Sequence, residues 1–178
     1  MTLVAGIIPL MADYTTVDGA RVGVLMGSSS DWPTMERTAT TLASLQVEHE
    51  CNVISAHRAP DRLASYICEA QGRGVQVFIC AAGGAAHLAG VVASMTDLPV
   101  LAVPIKAWSL EGLDSLLSMV QMPKGVRVAT FAIGSHGAIN AALFAVQVLA
   151  RSDEPLAKRF RAFRDEQTAK VDHLPDQS

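Results

Sequence analysis

The chain has 178 residues, half of them hydrophobic and 17% charged, which fits one compact domain with a sizeable core and excludes a disordered protein. A formal charge of −3 and a pI near 5.9 give no field for a polyanion, so nucleic acid is excluded as a partner on electrostatic grounds. No apolar run approaches the roughly 18 residues that a membrane span needs, and the apolar start MTLVAGIIPLM lacks the basic region of a signal peptide. Residues 1–20 read as an extension, 21–171 as a single α/β domain, and 172–178 as a tail.

Arg21–Met26 (RVGVLM) predicts a buried strand closed by a glycine and a serine run. Asp31–Leu45 predicts a helix, with Met35, Ala39, Leu42 and Leu45 on one face and Ser30 or Asp31 as its cap. A second strand follows over Glu48–Ile54, then the loop SAHRAP, then a helix from Pro60 to about Arg73. Val75–Ala81 is a third strand, followed by AGGAAH and a small-residue helix ending near Thr96. Pro99–Pro104 is a fourth strand, with a helix around Leu110–Val120 after it. Val128–Ile133 is a fifth, and Gly137–Ala150 the next helix. Glu154–Val171 is a charged final helix with one apolar stripe, Leu156, Phe160 and Phe163.

Strand and helix thus alternate, and the strands are continuous apolar runs, as expected where helices cover both faces. The pattern predicts a three-layer α/β/α sandwich on a doubly wound, five-stranded parallel sheet of order 2-1-3-4-5, with an extra C-terminal helix. In that order the chain reverses direction between strands 1 and 3, and ligands bind beyond the carboxyl ends of the strands there. The loops GSSSD, SAHR and AGGAAH follow strands 1, 2 and 3, which are neighbours in that order of the sheet, and should therefore lie side by side.

Each loop has a functional and a purely structural reading. Gly27 to Asp31 joins a strand to a helix. Its unpaired amides and the hydroxyls of Ser28 and Ser30 suit a phosphate, and Asp31 suits sugar hydroxyls; alternatively the segment only caps a helix. In Ser55-Ala56-His57-Arg58, the imidazole of His57 can donate or accept a proton near neutrality and Arg58 offers a fork for phosphate or carboxylate. Taken singly, His57 is as readily structural; its place beside the serine loop favours chemistry. The small residues before His87 and Leu88, Gly83 and Gly84 among them, let backbone amides approach a carboxylate or simply allow tight packing. His49, His57, His87, His136 and His173 show no metal-binding spacing, and His49 and His173 read as exposed. Cys51, Cys68 and Cys80 read as buried, reduced thiols. There is no GxSxG elbow for a serine hydrolase, no Walker A or GxGxxG, and little aromatic content for a flavodoxin-like flavin carrier.

The motifs GSSSDWPTM, SAHRAPDRL, AAGGAAHLAG and SLEGLDSLLSMVQMPKG together resemble the 5-(carboxyamino)imidazole ribonucleotide mutase family, the class I catalytic subunit of bacterial aminoimidazole ribonucleotide carboxylation, from about Arg21 to Val171. The resemblance implies an isomerase of purine biosynthesis that moves a carboxyl group from the exocyclic nitrogen to ring carbon 4. It implies no metal or organic cofactor, a cytoplasmic homo-octamer, and a C-terminal helix packed on a neighbouring subunit. It gives His57 as the acid/base, and it places Ser28, Ser30, Asp31 and Arg58 on the ribonucleotide, with Ser55, Gly83, Gly84, His87 and Leu88 lining the pocket. Departures from the family pattern are Ala81 and Ala89 (usually Gly and Pro), Ala102, Lys106, Trp108, Lys124, Arg127 and Ser135-His136. The first two are expected to adjoin the carboxylate pocket. Arg58 stands where the directly carboxylating class II relatives usually carry Lys, which favours class I. A ribonucleotide-binding protein that has lost activity is the alternative of a different kind.

Overall fold

A computed structural model describes residues 14–171. Most of the expected N-terminal extension, the tail 172–178 and His173 lie outside the described residues.

The five strands are β1 (Val22–Met26), β2 (His49–Val53), β3 (Val77–Gly83), β4 (Val100–Ile105) and β5 (Ala129–Thr130), all parallel, in the order 2-1-3-4-5 that the alternation predicts. The helices are α1 (Trp32–Ser44), α2 (Pro60–Arg73), α3 (Leu88–Ser94), α4 (Leu113–Val120), α5 (Ser135–Leu149) and α6 (Glu154–Ala169). Side chains alternate across the sheet and so feed two cores. Val22, Val24, Met26, Val77, Ile79, Leu101 and Val103 pack with α1, α5 and Leu156 of α6. Leu25, Phe78, Cys80 and Ala102 pack with α2, α3 and Met119 of α4. Every residue of β1, β4 and all but the last of β3 is buried, which is why these strands read as unbroken apolar runs.

Several details differ from expectation. β5 has two residues, not six, because it is an edge strand whose continuation leaves the ladder: the Phe131 amide reaches the Ala102 carbonyl and the Gly134 amide the Pro104 carbonyl. The expected helix 110–120 is broken. A short 3-10 turn at Trp108–Leu110 is separated from α4 by Glu111 and Gly112, both left-handed at φ +55° and +89°. On the apolar stripe of α6, Leu156 is fully buried, and Phe160 and Phe163 are half-buried against the α1/α5 cluster of the same chain. His49 is half-buried, its Nδ1 2.9 Å from the Val47 carbonyl oxygen, and Cys68 is exposed; only Cys80 is fully buried.

Residues 14–20 are ordered along β2, the other edge. The Thr15 amide donates to Asn52 Oδ1 (2.7 Å) and Asn52 Nδ2 donates back to the Thr15 carbonyl (2.9 Å). The Val17 amide donates to buried Glu50, which also pairs with Arg73 at 2.5 Å. The polar side chains of β2 are thereby satisfied by a covering segment. Among the described residues no helix is long and apolar enough to cross a membrane.

Candidate functional site

The three loops expected to converge do so. One pocket of about 470 Å³ at the carboxyl ends of β1, β2 and β3 is lined by Gly27, Ser28, Ser30, Asp31, Ser55 to Arg58, Ala82, Gly83, Ala85, His87, Leu88, Ala107 and Trp108. That size suits a mononucleotide.

The serine turn is closed by its own short-range bonds. After β1 the chain enters a 3-10 turn, Ser29–Asp31, that leads into α1. Asp31 stands at the N-cap of α1, as expected, but makes no capping bond there; the preceding 3-10 turn is capped by Ser28. Its Oγ accepts from the Ser30 amide (3.3 Å) and the Ser30 hydroxyl (2.9 Å), while Asp31 Oδ2 accepts from the Ser28 amide (3.2 Å). Asp31 is 6% exposed. Burial raises its carboxyl above the ordinary value, opposed by hydrogen bonds from the Ser28 amide, the Ser30 hydroxyl and the Gly27 amide.

Arg58 bridges this turn to the second loop. Its guanidinium donates to Ser55 Oγ (3.4 Å) and to the Gly27 carbonyl (3.4 Å), and its amide donates to the same Ser55 hydroxyl (3.3 Å). A hydroxyl and a carbonyl leave the cation's charge uncancelled. The positive fork therefore hangs beside the serine turn, where an anion would complete it.

His57 is exposed to the pocket and does not enter the core. Its Nε2 lies 2.9 Å from Nδ1 of His87, with the rings edge-on at 82°. One proton serves that contact, so one ring donates and the other accepts, according to the tautomer. Two histidines separated by 30 residues in sequence are thus one chemical unit.

The small-residue loop differs most from expectation. The Gly84 amide is committed to the buried Ser115 Oγ (2.9 Å), whose hydroxyl donates to the Ile105 carbonyl (2.8 Å). The amides of Ala86 and His87 bond to the carbonyls of Gly84 and Ala85. These three amides are occupied and not aimed at a carboxylate. The glycines are required instead by packing: a Cβ on Gly83 would lie 2.8 Å from Ala107 Cβ, and one on Gly84 2.3 Å from Trp108 Cζ3. Gly84 is also left-handed, at φ +66°. Ala81 and Ala89, expected beside the pocket, are fully buried in the two cores and do not line it. Sequence reasoning missed Ala107, Trp108 and Ser115; the signal available was Gly112, whose left-handed turn lets the loop after β4 fold back over the diglycine. Among the described residues no cluster of three or more His, Cys, Asp or Glu could hold a metal.

Comparison with known proteins places this geometry. A family profile described as AIR carboxylase matches residues 21–170. N5-carboxyaminoimidazole ribonucleotide mutase of Aliivibrio fischeri is 51% identical over 89% of this chain and 98% of its own length. The protein of the same name from Pseudomonas aeruginosa is 52% identical (88% and 96%), and that from Escherichia coli K12 50% identical (88% and 93%). The crystal structure of Treponema denticola PurE superposes with a TM-score of 0.77 at 27% identity, covering 84% of this chain and 92% of that one.

Proposed function

The chain belongs to the AIR carboxylase family, and from that premise we propose that it converts 5-(carboxyamino)imidazole ribonucleotide into 4-carboxy-5-aminoimidazole ribonucleotide in purine biosynthesis. It is a mutase, an isomerase, and its substrate is an imidazole ribonucleotide.

The chemistry needs one proton moved twice. Protonation of the carbamate nitrogen breaks the nitrogen–carboxyl bond and frees carbon dioxide. Ring carbon 4 then attacks that carbon dioxide, and the proton left on carbon 4 must be removed. A single imidazole can give the first proton and take back the second, so that no net proton is consumed. His57 has that role, with His87 holding its Nε2 in one orientation and sharing the proton between steps; the observation that carries this is the 2.9 Å contact between the two rings inside the pocket. Ser28, Ser30 and Arg58 hold the phosphate, Asp31 accepts from ribose hydroxyls, and Ser55, Gly83, Gly84 and Leu88 shape the ring end. Gly84 does so through the residues packed on it. Support for the ribose–phosphate assignment comes from the uncancelled charge of Arg58 beside a hydroxyl-rich turn.

Residues 21–171 form the catalytic domain in this reading, acting in the cytoplasm as a homo-octamer without a cofactor. An exposed apolar stripe, Leu110, Leu113, Leu117 and Val120, gives the assembly a surface to bury. Supplying the purified protein with the carbamate ribonucleotide and, separately, with aminoimidazole ribonucleotide plus bicarbonate tests the reaction. Rapid conversion of the first without dependence on bicarbonate is expected. Turnover only of the second, rising with bicarbonate, would instead identify a direct carboxylase.

A further inference from the structure

Among the described residues Trp108 is the most exposed large hydrophobic side chain, at 80%. Three observations show that its position is built. First, it lines the same pocket as the histidine pair, and its ring sits so close over Gly84 that any Cβ there would collide with Cζ3. Second, its backbone is left-handed at φ +52°, a conformation that is unfavourable for an aromatic residue by about 1 kcal/mol or more. Third, the loop is fixed at both ends: Lys106 and Glu111 form an ion pair across it, and a Cβ on Gly112 would meet Ile133 Cγ2 at 2.8 Å. The Gly84–Ser115–Ile105 hydrogen bonds fix the surface on which the indole rests. Strain held in place by surrounding contacts, with an apolar ring at the rim of a ligand-sized cleft, calls for a ligand-side explanation.

We propose that Trp108 is a positioning residue whose indole walls the ring end of the pocket, beside Gly84 and the His57–His87 pair, and keeps freed carbon dioxide next to carbon 4. The proposal rests on the mutase reading. Carbon dioxide is neutral, small and only a weak hydrogen-bond acceptor, so polar contacts hold it poorly. A flat apolar wall that excludes water is the means available, and it adds stacking area for the imidazole ring.

The test follows the fate of the carboxyl carbon. Substrate labelled with carbon-13 in the carbamate is converted in unlabelled bicarbonate buffer, and label retained in the product is measured alongside free aminoimidazole ribonucleotide. For the wild type, retention should be high and little free ribonucleotide should appear. Trp108→Ala should lose most of the label, release aminoimidazole ribonucleotide and lower kcat/KM by about tenfold or more, with Trp108→Phe restoring most of the retention. Retention in the alanine variant equal to wild type would overturn the proposal. A readout without turnover uses Trp32→Phe, in which Trp108 is the remaining tryptophan. Its emission should change as aminoimidazole ribonucleotide saturates the site by calorimetry. Unchanged emission at saturation would also overturn the proposal, whereas a wild type that binds this ribonucleotide and leaves the carbamate unconverted counts against the mutase reading alone.

Discussion

The two ends of the pocket are built on different principles. The serine turn is closed by bonds between residues two and three apart in sequence, Ser28 to Ser30 and Ser28 to Asp31, and would keep its shape on almost any strand–helix junction. The histidine end is assembled from residues 57, 84, 87, 108 and 115, which come from separate segments after β2, β3 and β4 and are held together by the sheet order and by packing on two glycines. A sugar phosphate recurs throughout metabolism, and a locally encoded cradle suffices for it. Moving a proton and a carbon dioxide molecule around one ring needs groups placed from several directions. The difference teaches that affinity and turnover should respond separately to substitutions at the two ends.

The largest effect should come from the histidine end. His57→Asn keeps a polar side chain of similar shape but stops short of His87, which His57 reaches through Nε2, and cannot move a proton near neutrality. Turnover should fall by about 100- to 10,000-fold with the dissociation constant nearly unchanged. Mutase activity within tenfold of wild type would break the comparison at its main point.

Arg58→Ala should act in the opposite sense. Losing a charge-assisted contact to phosphate, about 1.5–3 kcal/mol, raises the dissociation constant by roughly ten- to a hundredfold. A variant that lost kcat and kept its affinity would place Arg58 with the chemistry and not with binding.

Smaller effects sharpen the local character of the serine turn. Ser28→Ala removes an N-cap and should cost about 1 kcal/mol, a few degrees in Tm, together with weaker ribonucleotide binding. Unchanged melting would mean that the turn is shaped from elsewhere. The smallest effect is a slope. Asp31 has its carboxyl raised above the ordinary 3.8 by burial. The folded state therefore holds that proton more tightly than the unfolded chain does. The stability it contributes is complete below the unfolded value and is lost as pH rises through the folded one. Relative to Asp31→Asn, which stays neutral, the wild type should lose Tm as pH is raised from about 3.8 and then level off. A difference that grew in the wild type's favour over that range would show that hydrogen bonding outweighs burial.

The same contrast explains what could be read from the chain. Strand order and the convergence of three loops were legible because continuous apolar runs and alternating helices leave few topologies. The serine turn was legible in type, and Asp31 does stand at the N-cap of α1, but the 3-10 turn before it and its cap Ser28 were not, since three adjacent serines all qualify. His57 and His87 were each visible, yet their pairing was not, because contact across 30 residues has no local signature. The diglycine was open to two readings, room for a ligand's carboxylate or tight packing, and it is packing, against Ala107 and Trp108, while Glu111 in a left-handed conformation gave no sign of breaking the helix before Leu113. The α6 stripe has the same apolar spacing whatever it faces, so the burial of Leu156 and the half-burial of Phe160 and Phe163 against this chain's own core could not be read from the spacing.

The central claim is that both ends grip one molecule at once. A crystal structure with aminoimidazole ribonucleotide bound measures it directly. The phosphate should sit on Ser28, Ser30 and Arg58, with the exocyclic nitrogen or carbon 4 about 3 Å from the His57 ring. A ribonucleotide whose phosphate lies on the serine turn while its base points away from the histidine pair would contradict the account.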